Sequence, residues 1–159
     1  MITLNWTNTL FSSNYKIFDG EIQLGELSHS SFSNNNIGTL GSTKLSFVSK
    51  GIFSSVIAIN DLQTNQSVGE IKFNAFGSSA VIVLNNKTYT WQYDNLLQTQ
   101  WSILDNEHKI VNFSASFSSG KIVSDVDDEM LFLCGLYVQN YMIQVLIFSF
   151  SMFFIFFLI

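Results

Sequence analysis

The sequence contains no proline and no arginine, one cysteine, two histidines and only 12% charged residues. Without arginine, and with a net charge of -5, it lacks the basic face that neutralises nucleic-acid phosphates, so no nucleic-acid partner is expected. A single cysteine, Cys134, excludes an internal disulfide framework and a cysteine-built zinc site. The absence of proline removes the usual stiff boundary markers, and 159 residues suit one domain. A disordered chain is excluded as well, because 47% hydrophobic residues outweigh the sparse charge. Part of such a molecule is expected to face away from water.

Motifs for chemistry are also missing. There is no Gly-x-Ser-x-Gly elbow, phosphate-binding loop, dinucleotide fingerprint or zincin helix, and neither an enzyme nor a cofactor is expected. The start, Met1 to Asn8, has neither a basic cluster nor a continuous apolar run, so no signal peptide is expected. The sequons at 5–7, 65–67, 86–88 and 112–114 carry little weight in a chain so rich in Asn and Ser.

What the sequence does have is a succession of short apolar or alternating runs, punctuated by Asn, Ser, Gly and Asp. Tyr15–Phe18 leads into Asp19-Gly20, and Glu21–Leu27 follows with Ile22 and Leu24 on one face, a hairpin pattern. Further strands are expected at Lys44–Val48, Gly51–Ile59, Val68–Phe73, Ala80–Leu84, Thr88–Tyr93, Trp101–Leu104, Lys109–Ser114 and Lys121–Val126. Weaker runs lie at Ile2–Trp6 and Ile37–Leu40. Turns are expected at Asn60-Asp61, Asn85-Asn86 and Asp105-Asn106, and a surface excursion at Ser28–Asn36. Ten to twelve antiparallel strands must close or stack to hide their edges, so the expected class is mainly β, a closed barrel.

The pattern changes at Asp125-Val-Asp-Asp-Glu129, an acidic run suited to starting a helix. Thirty residues without a charge follow, from Met130 to Ile159. The helix is apolar on every side, so it is expected to be buried all round, in lipid or in protein. Gln139, Asn140 and Gln144 in its middle would be costly in hydrocarbon, which favours a protein interior there.

Many short strands followed by one apolar C-terminal helix resemble the tubby C-terminal, LURP-one-related and phospholipid scramblase superfamily. The likeness lies in Tyr15-Lys-Ile-Phe-Asp-Gly with Glu21-Ile-Gln-Leu-Gly25, in Gly51 to Ile59 with Val68-Gly-Glu-Ile-Lys-Phe73, and in Lys87 to Tyr93 with Trp101 to Asp105. It implies a barrel of about twelve strands wrapped around a central helix. The tubby branch binds phosphoinositides through basic residues. Here Lys44, Lys50, Lys72 and Lys87 form no cluster, so a specific inositide pocket is not carried over.

On this basis the barrel domain is expected to cover 1–145, with Asp128–Val145 as its central helix and 146–159 as a hydrophobic tail. The helix and membrane residues are Leu131, Leu133, Leu136, Val138, Met142, Val145, Phe148, Phe153, Phe154, Phe156 and Phe157. Fourteen tail residues would reach about 21 Å, too short to cross a bilayer upright. The expected function is a non-enzymatic, membrane-associated module that binds lipid or a partner, otherwise cytoplasmic. The alternative is a soluble β-domain tethered by a single-pass helix near Leu133–Ile159 and binding protein. A small hydrolase is a third reading with no motif behind it.

Other clusters have plainer explanations. The run Asp125, Asp127, Asp128, Glu129 reads as a helix cap rather than a calcium site. His29 and His108 are too far apart in sequence to suggest a metal site, and no metal is expected. Cys134 reads as an inert core thiol. The serines of Gly77–Ala80 and Ser118–Lys121 read as turn residues. Asp19, Glu21 and Glu26 read as a solvated face. Tyr89, Trp91 and Tyr93, spaced by two, read as a core stripe rather than an exposed belt.

Overall fold

A computed structural model describes residues 1–9, 14–29, 35–50, 54–75 and 77–158. Twelve antiparallel strands run in sequence order: β1 (Ile2–Asn8), β2 (Tyr15–Asp19), β3 (Ile22–His29), β4 (Asn35–Leu40), β5 (Thr43–Ser49), β6 (Val56–Asp61), β7 (Gln66–Phe73), β8 (Ser79–Leu84), β9 (Lys87–Tyr93), β10 (Gln100–Asp105), β11 (His108–Ser116) and β12 (Ser119–Ser124). Each pairs with its neighbours in sequence, and β1 pairs with β12, closing the barrel. One helix, α1 (Glu129–Phe157), ends the chain. Alternation sends Leu4, Ile17, Phe47, Ile59, Ile82, Trp91, Ile103, Phe113 and Ile122 inward, where they meet the first turns of α1.

Up-and-down order sets two ends. The short turns after β2, β4, β6, β8 and β10, and the link from β12 to α1, lie where the helix enters. The connections after β1, β3, β5, β7, β9 and β11 lie where it leaves. At the entry end Glu129 accepts from the Thr43 hydroxyl at 2.7 Å, and its carboxylate fills the space where Gly41 has no Cβ. At the exit end the Tyr141 hydroxyl donates to the Ser54 carbonyl at 2.8 Å, and its ring stacks on Phe73 at 4.4 Å.

Ile22 and Leu24, expected on one face of a hairpin strand, are both exposed, and the register break between Ile17 and Phe18 leaves Leu24 opposite no partner. Several local expectations are corrected. Asn60 and Asp61 belong to β6, and the turn falls at 62–65. Ser28, His29 and Asn36 are strand residues paired between β3 and β4, and Asn35 opens β4 opposite Val48 of β5, while the middle of that excursion lies outside the described residues. The strand expected over Gly51–Ile59 begins at Val56, and 51–53 lie outside the described residues. Lys121–Val126 shifts to Ser119–Ser124, so Ser119 to Lys121 are strand and the preceding turn is Phe117-Ser118.

Candidate functional site

The helix starts as the acidic run implied. The Asp128 carboxylate accepts from the amides of Met130 and Leu131 at 3.0 and 3.2 Å. Among the described residues no group of three His, Cys, Asp or Glu is placed to hold a metal. His108 is exposed at the start of β11, and the His29 side chain lies outside what is described. Cys134 is fully buried, and burial pushes its thiol well above the ordinary range, with Asp128 adding to the effect. It is an inert packing group. Glu21 is exposed in the turn from β2 to β3, and Glu26 is exposed on the outer wall.

Inside the barrel the helix is packed closely. Leu131, Leu133, Leu136 and Val138 are buried, as are Gln139 and Asn140. Gly135 faces the Phe113 ring so closely that a Cβ would meet it at 2.2 Å, and its carbonyl accepts from the Trp91 indole at 3.2 Å. Tyr137 stacks on Phe47 at 4.3 Å, and Gly38 opens the wall for Leu133. Trp91 is therefore core; Tyr89 is buried and Tyr93 half-buried in the same stripe.

The buried run ends at Asn140. Met142, Val145 and Phe148, expected in the central helix and tail, are half-exposed; Phe153, Phe154, Phe156 and Phe157 are exposed. The helix thus emerges about a turn earlier than the expected exit at Leu146. The reason is barrel height. Strands of six to eight residues rise roughly 20–27 Å along their length, and a tilt of about 40° reduces this to roughly 15–20 Å on the axis. Ten helical residues cover about 15 Å, matching the buried segment Leu131–Asn140. The same burial places Leu133–Asn140 in protein, where a span from Leu133 to Ile159 would need them in lipid.

From Tyr141 to Phe157 the helix projects beyond the barrel for about 26 Å, close to the roughly 30 Å hydrocarbon thickness of a bilayer. Among the described residues α1 is one helix long and apolar enough to cross a membrane, and only 6% of its most apolar stretch is buried. The projecting part carries no charge. Its Ser149 and Ser151 hydroxyls donate to the Val145 and Ile147 carbonyls at 2.8 and 2.9 Å, so neither needs water.

At the helix exit a groove of about 480 Å³ opens between α1 and the rim, lined by Phe73, Asn74, Tyr93, Gln98, Tyr141 and Met142 among others. Among the described residues its lining has no charged side chain. The charge sits at the other end. Asp19, Glu21, Asp61, Asp105, Glu107, Asp125, Asp127, Asp128 and Glu129 are all at the turns or helix start of the entry end, nine of the twelve acids. Asp94, the acid nearest the exit rim, is paired with Lys109 at 2.7 Å and accepts from Ser102. Lys16 and Lys50 are exposed near that rim.

No family model, curated protein or solved structure matches the chain. Sequence reasoning found the helix and the buried Gln139 and Asn140, but it put Gln144 in the same interior. Gln144 is instead half-buried one turn past the end of the buried run, where its amide reaches back to Asn140 at 3.5 Å. Sequence reasoning also missed the segregation of charge between the two ends. The signal was present, since turns at one end are acidic or Asn-rich and connections at the other contain Leu96-Leu97 and Phe117. It becomes visible only once up-and-down order assigns each turn to an end.

Proposed function

We propose that the chain is a non-enzymatic, membrane-anchored barrel module of the tubby and LURP-one-like kind, acting through contact with membrane lipid. The observation that carries this is the division of α1. Ten residues supply the barrel's core, and the uncharged remainder leaves it, with Tyr141 and Met142 still packed at the rim and the stretch from Phe150 to Phe157 exposed. Exposing that much continuous apolar surface to water is costly at about 25 cal/mol per Å², and inserting it into hydrocarbon removes the cost. The internally bonded serines suit the same environment. The neutral groove at the exit is where a headgroup would meet the protein.

Co-flotation of the purified protein with neutral and anionic vesicles tests this reading. Flotation with both is expected, because the anchor is uncharged. Failure to float with either would end the proposal.

A further inference from the structure

The exit rim has properties that the anchor alone does not require. In the connection from β9 to β10, Leu96 and Leu97 are almost wholly exposed. They are held there by a built loop: the Asn95 side chain accepts from the amides of Thr99 and Gln100 at 3.0 and 3.1 Å and donates to the Thr99 hydroxyl at 2.7 Å. The two leucines sit on a tied loop, exposed rather than packed against the described residues.

Phe117 forms the turn from β11 to β12 and is 99% exposed. Its φ is +55°, the left-handed region, which bulky side chains adopt at a cost. At the entry end every such position is Gly or Asn: Gly20, Gly41, Asn65, Asn85, Asn86 and Asn106. Those are the residues that tolerate this backbone. An almost fully exposed aromatic ring at a strained turn buries no apolar surface against the described residues.

These features form one surface. The Ala115 amide donates to the Thr99 carbonyl at 2.8 Å, joining the two connections side by side on the rim. Gln98 of the first loop lines the groove beside the emerging helix. The opposite end holds nine acids and exposes Ile22 beside Asp19 and Glu21.

We infer that the exit rim itself docks on a phospholipid bilayer, with Leu96, Leu97 and Phe117 inserted at headgroup depth and the acidic end turned to water. This rests on the anchor reading of α1: a helix that enters lipid just beyond Tyr141 brings the rim to the interface. The occupant is a lipid surface because acids are segregated away from the rim while Lys16 and Lys50 lie near it. Cytoplasmic leaflets carry negative potential, which repels the acidic end and attracts those lysines.

The test uses the full chain, reconstituted into phosphatidylcholine vesicles containing a minor fraction of phosphatidylserine. An environment-sensitive fluorophore is attached to Leu97→Cys, Phe117→Cys, Glu107→Cys or Phe154→Cys in separate preparations; buried Cys134 is not expected to react in the folded protein. A lipid-borne quencher reads depth. Expected is deep quenching at position 154, shallow quenching at 97 and 117, and none at 107. Quenching at 154 with water-exposed labels at 97 and 117 would overturn the docked rim and leave the anchor standing. No quenching at 154 would remove both. Quenching at 107 would reverse the orientation and overturn the inference.

Discussion

Trp91 donates its indole N–H to the main-chain carbonyl of Gly135, 3.2 Å away, tying strand β9 to the middle of the buried helix. The contact is possible because Gly135 has no side chain where Phe113 packs. One glycine therefore lets the helix approach a strand from two sides. The barrel and the first turns of α1 are one core.

Replacing Gly135 by alanine should force the Phe113 ring or the helix to move, at about 1–3 kcal/mol, the usual cost of overpacking. Gly135→Leu should prevent the helix from seating. Denaturant unfolding followed by near-UV circular dichroism checks both, and an unchanged midpoint for Gly135→Leu would mean the helix does not lie against Phe113.

Trp91→Phe and Trp101→Phe remove equal volume from buried sites but differ in polarity. Among the described residues the Trp101 indole nitrogen has no hydrogen-bond partner, whereas that of Trp91 is paired with the helix. Trp91→Phe should be the more destabilising, by about 1 kcal/mol, the net worth of a typical hydrogen bond. Paired unfolding curves decide it.

Asp128→Ala should cost about 1 kcal/mol by removing the cap from the Met130 and Leu131 amides. Asp128→Asn keeps an acceptor and should recover most of the loss. A metal-binding role would instead show a stability change on adding calcium, which this account does not expect.

Stability should fall at high pH. Burial pushes the Tyr15 hydroxyl up to about 12, from 10 in the unfolded chain, and Tyr93 also up to about 12. Above pH 10 the unfolded state loses these protons first, so the stabilisation is complete below pH 10 and declines as pH rises towards 12. Tyr15 alone accounts for about 3 kcal/mol across that range, at ~1.4 kcal/mol per unit. Tyr15→Phe should flatten the decline in unfolding free energy measured over this window.

Much of this was legible in the sequence. The strands are marked by period-two patterns and turn residues, and even the weak runs near Ile2 and Ile37 form full strands. The acidic start of α1 is local chemistry, and so was readable. The exit point was not, because it depends on the height of the closed barrel rather than on any residue near 141. The break in register beside Leu24 was not readable either, because a bulge is a property of pairing, invisible within one strand. Leu96, Leu97 and Phe117 fall between the expected strands with no pattern of their own, and only the strand order puts them on one rim with the emerging helix.

The central claim is that α1 is core as far as Asn140 and anchor beyond it. The most direct measurement is on a chain ended after Gln144, compared with the full chain by near-UV circular dichroism and vesicle flotation. The account predicts fixed aromatic signals like those of the full chain and no flotation. A shortened chain that still floats, or one that loses its aromatic signals, would contradict that division of the helix.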